Sequence, residues 1–171
     1  MVETAKLKIV PLSFTELELY LQGEGKLEKL FHLKDTGRMV SADIKKRAGL
    51  TILPKLRKMT GPEYLFSTFW IVIEKSSSTI VAELGFKGRP DKLGAVEIGY
   101  GTMPSHRGRG IMTEAVAGMV QWAKSRAEIH CILAETDQNN AASIRVMEKN
   151  HFIPFDLREN MRWWKYDLSE L

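Results

Sequence analysis

A single cysteine, Cys131, stands in this 171-residue chain, so no disulfide framework can staple the fold. It lies in the short apolar run Cys131-Ile132-Leu133-Ala134 with no paired base in sequence, and reads as a buried structural thiol rather than a nucleophile. No apolar run reaches the roughly 18 residues that a membrane span requires, and Met1 to Lys8 lacks the apolar centre of an export signal, so a reducing cytoplasm is the expected compartment. Four histidines (His32, His106, His130, His151) are scattered without ligand spacing, and no metal site is expected. Two phosphate-loop signatures are also missing. No Gly-Lys-Ser/Thr closes a glycine loop, and Thr113 stands where a dinucleotide fingerprint needs its third glycine, which argues against ATP hydrolysis and hydride transfer. The charge excess is small: 25 basic residues face 21 acidic ones. That balance does not call for nucleic acid, and the basic groups Lys45-Lys46-Arg47 and Lys55 to Lys58 read as a solvated helix face.

What the chain does contain is Pro104-Ser105-His106-Arg107-Gly108-Arg109-Gly110-Ile111-Met112-Thr113, with no acidic residue before Glu114. It follows the strand-like Ala95 to Thr102 and opens an amphipathic helix whose face is Ile111, Ala115, Met119 and Ala123. Glycines let a backbone turn tightly against a ligand, and the free N–H groups and positive dipole end of a helix favour phosphate. Arg107 and Arg109 add charge suited to a diphosphate. Taken alone, Arg-Gly-Arg-Gly is as consistent with a solvated loop; the strand before it and the helix after it favour an anion cradle.

The length fits one domain over residues 1–171. Lys6 to Val10 predicts a first strand, and Ser13 with Glu16 predicts a capping box that starts a helix. A helix over about Ala42 to Lys58, interrupted near Pro54, follows. Tyr64 to Ile73 and Thr79 to Phe86 predict a hairpin, and the strand carrying Glu97 comes next. Helix Gly110 to Arg126, strand His130 to Thr136, helix Ser143 to Asn150, and two last strands at Phe152 to Phe155 and Met161 to Leu168 complete the chain.

The order of elements and two motifs carry a resemblance. One motif is Glu97-Ile98-Gly99-Tyr100 with Pro104, Arg107-Gly108-Arg109-Gly110 and Thr113-Glu114-Ala115. The other is Ala134-Glu135-Thr136-Asp137 with Asn140-Ala141-Ala142-Ser143-Ile144-Arg145-Val146-Met147-Glu148-Lys149 and Phe152; the opening Lys6 to Leu12 is a weaker third piece. The chain resembles the GCN5-related N-acetyltransferase (GNAT) superfamily, in particular its branch of ribosomal-protein N-terminal acetyltransferases. The resemblance implies an α+β fold: a mixed, mostly antiparallel sheet splayed between its fourth and fifth strands, with helices on both faces. It implies acetyl-CoA in the splay, with pantetheine along the strand edge at Thr102 and Met103. The pyrophosphate would then sit on Arg107, Gly108, Arg109, Gly110, Ile111, Met112 and Thr113, and Asn140 and Ser143 would stand beside the cofactor. Asn140 or Ser143 could equally cap the last long helix, and the two roles are compatible. His151 departs from the pattern, since the branch usually has glycine before Phe152, and a left-handed cap there would strain a histidine.

Acetyl transfer from a thioester to an amine needs a neutral amine, in-line reactants, an oxyanion donor and a proton for the leaving thiolate. Glu97 is the first candidate base, with Glu83, Glu135 and Asp156 in reserve; Glu97 could also be an ion-paired strand acid. Ser143 is the candidate donor to the thiolate, with Tyr100 and Thr136 as alternatives. The resulting expectation is an N-acetyltransferase that moves acetyl directly, in a ternary complex, to a primary amine: a peptide N-terminus, a polyamine or another small amine. A CoA-binding module without activity is the alternative reading, and another acyl group such as succinyl is allowed. Of Trp163 and Trp164, one ring should face the core; the outward one could line an acceptor cleft or a homodimer interface.

Overall fold

Continuous β-branched and aromatic runs predict strands buried on both faces, and alternating runs predict strands with one open face. In the computed structural model, which describes residues 1–168, the strands are β1 (Val2–Glu3), β2 (Leu7–Pro11), β3 (Trp70–Glu74), β4 (Thr79–Phe86), β5 (Ala95–Thr102), β6 (Cys131–Asp137), β7 (Ile153–Arg158) and β8 (Met161–Asp167). They form one sheet in the order β1-β2-β3-β4-β5-β6-β8-β7. Neighbours are antiparallel except β5 and β6, which run parallel. The mixed, mostly antiparallel sheet is thus present. Because the short β1 precedes the first predicted strand, the pair expected as fourth and fifth is β5 and β6. They pair only at Ala95↔Cys131, Val96↔Ile132 and Glu97↔Leu133, whereas β5 stays paired with β4 as far as Thr102. Beyond Glu97 the two strands part.

Helices cover both faces. On one, α5 (Ile111–Lys124) and α6 (Ala141–Lys149) pack over Ile9, Val72, Leu84, Val96, Ile98 and Ile132. The predicted face of α5, Ile111, Ala115, Met119 and Ala123, is buried throughout, and Met147 anchors α6. On the other face, α1 (Phe14–Gln22), α2 (Lys26–Leu30), α3 (Ala42–Arg47) and α4 (Leu53–Leu56) enclose Ile71, Ile73 and Ile80. The Ser13 capping box forms as the spacing predicts: Glu16 N donates to Ser13 Oγ, and Ser13 N donates to Glu16 Oε2.

Two local expectations are corrected. The helix predicted over 42–58 with a break near Pro54 is interrupted earlier, by a π-helical turn at Ala48–Ile52 between α3 and α4, and Pro54 sits in the first turn of α4. The aromatic run from Tyr64 does not open a strand. Pro62–Phe66 forms a 3₁₀ turn, because Ser67 N and Thr68 N both donate to Tyr64 O and Trp70 Nε1 reaches Leu65 O at 2.9 Å. This puts Phe66 into an aromatic cluster with Phe86 and Trp122. Trp164 is the buried ring of its pair, donating to Thr136 Oγ1 at 2.9 Å, while Trp163 is half-exposed. Cys131 is half-buried rather than enclosed.

Candidate active site

Where β5 and β6 part, two clefts meet. The first, about 560 Å³, is lined by Thr102, His106, the whole run from Arg107 to Thr113, Asn140, Ser143, Arg145 and Lys149, together with Tyr100 and Gly101. No carboxylate among the described residues lines it. Gly108 and Gly110 take φ of 74° and 75°, a conformation that favours glycine, and each opens onto free space on its Cβ side. Gly110 is the residue before the first turn of α5, and no side chain caps that end. The N–H groups of Ile111, Met112 and Thr113 are therefore left for an anion, in line with the dipole. Arg107 folds back with its Nε 3.4 Å from Thr102 O. Arg109 reaches out of the cleft to Glu74 Oε1 at 2.7 Å, so it clips the loop to β3.

The ladder fixes which backbone groups of β5 are free. Lys87 N donates to Glu97 O and Met103 N donates to Val81 O, so residues 97, 99, 101 and 103 turn their polar groups toward β4. Tyr100 and Thr102 turn theirs toward the side vacated by β6. Thr102 lies on the open edge as expected. Met103 does not: its N–H is taken by Val81, and its side chain packs into the core beneath α1 to α4. Tyr100 takes its place on the edge. Asn140 caps α6, its Oδ1 accepting from Ser143 N at 3.1 Å, and both residues line the cleft, so capping and lining coincide.

The second cleft, about 550 Å³, lies on the α1 to α4 side of the sheet. Its floor is made by the side-chain-free positions Gly85, Gly99 and Gly101, with Glu83 at one end and Lys87 at the other, and its roof includes Ile44, Arg47, Thr51, Ile52 and Lys55. Tyr100 and Gly101 line both clefts, so they mark the junction. Glu83 pairs in register with Gly101, and a Cβ on Gly101 would lie 3.9 Å from Glu83 Oε1. Burial pushes the Glu83 carboxyl up to about 7. Burial also raises the Tyr100 phenol to about 12, against the opposing pull of its bond to Ser143 O, 3.3 Å away.

The other acids are engaged elsewhere. Glu97 sits in the closed part of the β5–β6 pair and forms an ion pair with Lys87, which also donates to Glu135 at 2.6 Å. Asp156 is held below the usual carboxylate range by Arg158, on exposed β7. Trp163 lines neither cleft. Sequence reasoning ranked Glu83 behind Glu97 and did not mark Gly85, Lys87, Arg47 or Lys55 for this site. The available signal was Glu83 as the one acid within the otherwise apolar Thr79 to Phe86.

The glycine-rich basic loop thus lies where two strands part, beside a second cleft lined by one partly buried carboxyl, Glu83. The chain matches the acetyltransferase (GNAT) domain over residues 40–153 and belongs to that family. It is 36% identical over 97 residues to the uncharacterized N-acetyltransferase YjdG of Bacillus subtilis (strain 168), a stretch covering 57% of this chain and 58% of that protein. It is 44% identical over 55 residues to the probable N-acetyltransferase YjcK of the same organism, covering 32% of this chain and 30% of that one. The chain thus spans less than two thirds of both curated relatives. Among solved structures it shares its fold with RimL, a ribosomal L7/L12 alpha-N-protein acetyltransferase in complex with coenzyme A (TM-score 0.67, 17% identity, 96% of this chain and 95% of that one). It also shares it with the N-acetyltransferase PseH of Campylobacter jejuni in complex with acetyl coenzyme A (TM-score 0.64, 16% identity, 95% and 99%).

Proposed function

We propose that the protein transfers acetyl from acetyl-CoA to a primary amine by direct attack in a ternary complex, with Glu83 as the base in place of Glu97. The observation that carries this is Glu83 itself: a carboxyl held near 7 by burial, on the floor of the second cleft, at the register position where that cleft meets the first. A group titrating near the working pH is suited to take a proton from an amine. Glu97 is less suited because Lys87 occupies it.

Acetyl-CoA would place its diphosphate on the N-terminal turn of α5 and its pantetheine amides along Tyr100 and Thr102, replacing the ladder that β6 does not supply. The amine enters from the second cleft. Its nitrogen lone pair attacks the thioester carbonyl carbon, and an N–H of the open β5 edge can steady the oxyanion. The nitrogen gives its proton to the Glu83 carboxylate, the C–S bond breaks with the electron pair going to sulfur, and the thiolate takes a proton from Ser143 Oγ, which solvent restores. Ser143 is favoured over Tyr100 because the phenolic hydrogen is directed to the Ser143 carbonyl oxygen, while the Ser143 hydroxyl makes no hydrogen bond among the described residues.

Calorimetry with acetyl-CoA, desulfo-CoA and ATP tests the first cleft: micromolar binding of the two CoA compounds and none of ATP is expected, and absence of CoA binding would overturn the assignment. Acetylation of a panel of N-terminal peptides, polyamines and aminoglycosides tests the second. Glu83→Gln should lower kcat/KM by about 10²-fold or more with CoA affinity intact, and should abolish the rise of activity through pH 7. Full CoA affinity with no amine acetylated would instead identify a binding module without activity.

A further inference from the structure

The roof of the second cleft carries charge that the reaction as described does not use. Arg47 and Lys55 both line it, both are exposed, and neither has an acidic partner among the described residues. They are brought to one face by the π-helical turn. Four residues of α-helix overshoot a full turn by about 40°, whereas a π turn needs more than four, so the two drifts offset and Arg47, Thr51 and Lys55 fall in a row. Thr51 Oγ1 donates to Arg47 O at 2.6 Å and fixes that turn. On the floor, the Lys87 ammonium is already matched by Glu97 and Glu135, which leaves Glu83 as the carboxyl within the cleft free of a cation.

We infer that the acceptor is a primary amine carrying an anionic group, a carboxylate or a phosphate, which Arg47 and Lys55 hold while the amine meets Glu83. This rests on the reading of Glu83 as the base. A polyamine entering the same cleft would bring its second ammonium under two unpaired cations, with no carboxylate among the described residues of the roof to receive it. An amine with an anionic tail finds both ends matched, and Arg47 is the residue type suited to a bidentate grip on carboxylate or phosphate.

The test uses four acceptors of matched length: an alkyl monoamine, a diamine, an amino carboxylate and an aminoalkyl phosphate. They are assayed for acetylation by the wild type and by the exposed-helix variants Arg47→Glu and Lys55→Glu. One or both anionic amines should lead the diamine in kcat/KM by about tenfold, with the lead shrinking as salt is added. Each charge reversal should remove that lead, with acetyl-CoA affinity unchanged. A diamine used as well as the anionic amines, or charge reversals that leave the ranking intact, would overturn the inference. Titration of the same amines into CoA-loaded protein reads the charge preference without any transfer. The Glu83 reading fails separately, by Glu83→Gln acetylating every acceptor at the wild-type rate.

Discussion

At the scale of single residues, Glu83 couples stability to pH in the sense opposite to an ion-paired carboxylate. Its carboxyl titrates near 7 in the folded chain against an ordinary 4.5. Between those values the folded state keeps a proton that the unfolded chain has released, so stability falls as pH rises through this window. Glu83→Gln removes the penalty, and at pH 8 the variant should be the more stable protein by up to roughly 3 kcal/mol, with little difference at pH 4. Denaturant unfolding at the two pH values checks this; an equal gap at both would refute it. His151 is the second residue of consequence. Its φ of 61° is the left-handed cap that glycine would take without cost, and Phe152 N closes the turn onto Met147 O. His151→Gly should raise stability by about 0.5–1 kcal/mol, read as an upward shift of the thermal midpoint. The strain at His151 was legible through the resemblance, which puts glycine before Phe152. The choice between Glu83 and Glu97 was not, because it depends on cross-strand register: one lies opposite Gly101, the other within reach of Lys87.

At the scale of elements, the floor of the second cleft is made by three glycines between Glu83 and Lys87. Gly85 is the least replaceable of these positions. A Cβ there would lie 2.7 Å from Thr68 O, and Thr68 cannot easily yield, since it is buried and its Oγ1 is fixed to Leu12 O at 2.6 Å. Gly85→Ala should cost about 1–3 kcal/mol and raise the acceptor KM more than it weakens CoA binding; steady-state kinetics beside calorimetry would reveal an even loss as the contrary result. Helix α5 was readable from its four-residue apolar rhythm and the basic loop before it. A break in the helix over 42–58 was readable from Pro54, but its place at Ala48–Ile52 was not, because a π turn keeps the apolar residues inward while adding one residue to the turn. The start of β3 was misread for a related reason: Tyr64 to Phe69 has strand composition, but its backbone is spent on turn hydrogen bonds that only the finished aromatic cluster makes favourable.

At the scale of the whole molecule, the sheet is two pieces, β1 to β5 and β6 to β8, joined by a three-position parallel ladder and by the helices that lie across it. A cofactor seated in the gap touches both pieces and binds only when they are folded together. Acetyl-CoA at a hundred times its dissociation constant should therefore add about 2.7 kcal/mol. For a chain of this size that is a rise of roughly 5–10 °C in the thermal midpoint. Gly108→Asp, which places bulk and negative charge at the diphosphate loop, should abolish the rise while leaving the unliganded midpoint within a few degrees; a full ligand shift in that variant would remove the loop from the site. The unfinished edge of β5 has a consequence for how the family diverges. On the proposed reading, main chain at Tyr100 and Thr102 meets the pantetheine, and main chain is the part of a protein that point mutation does not rewrite. A fold shared at 17% identity keeps the path of that strand while the letters along it drift.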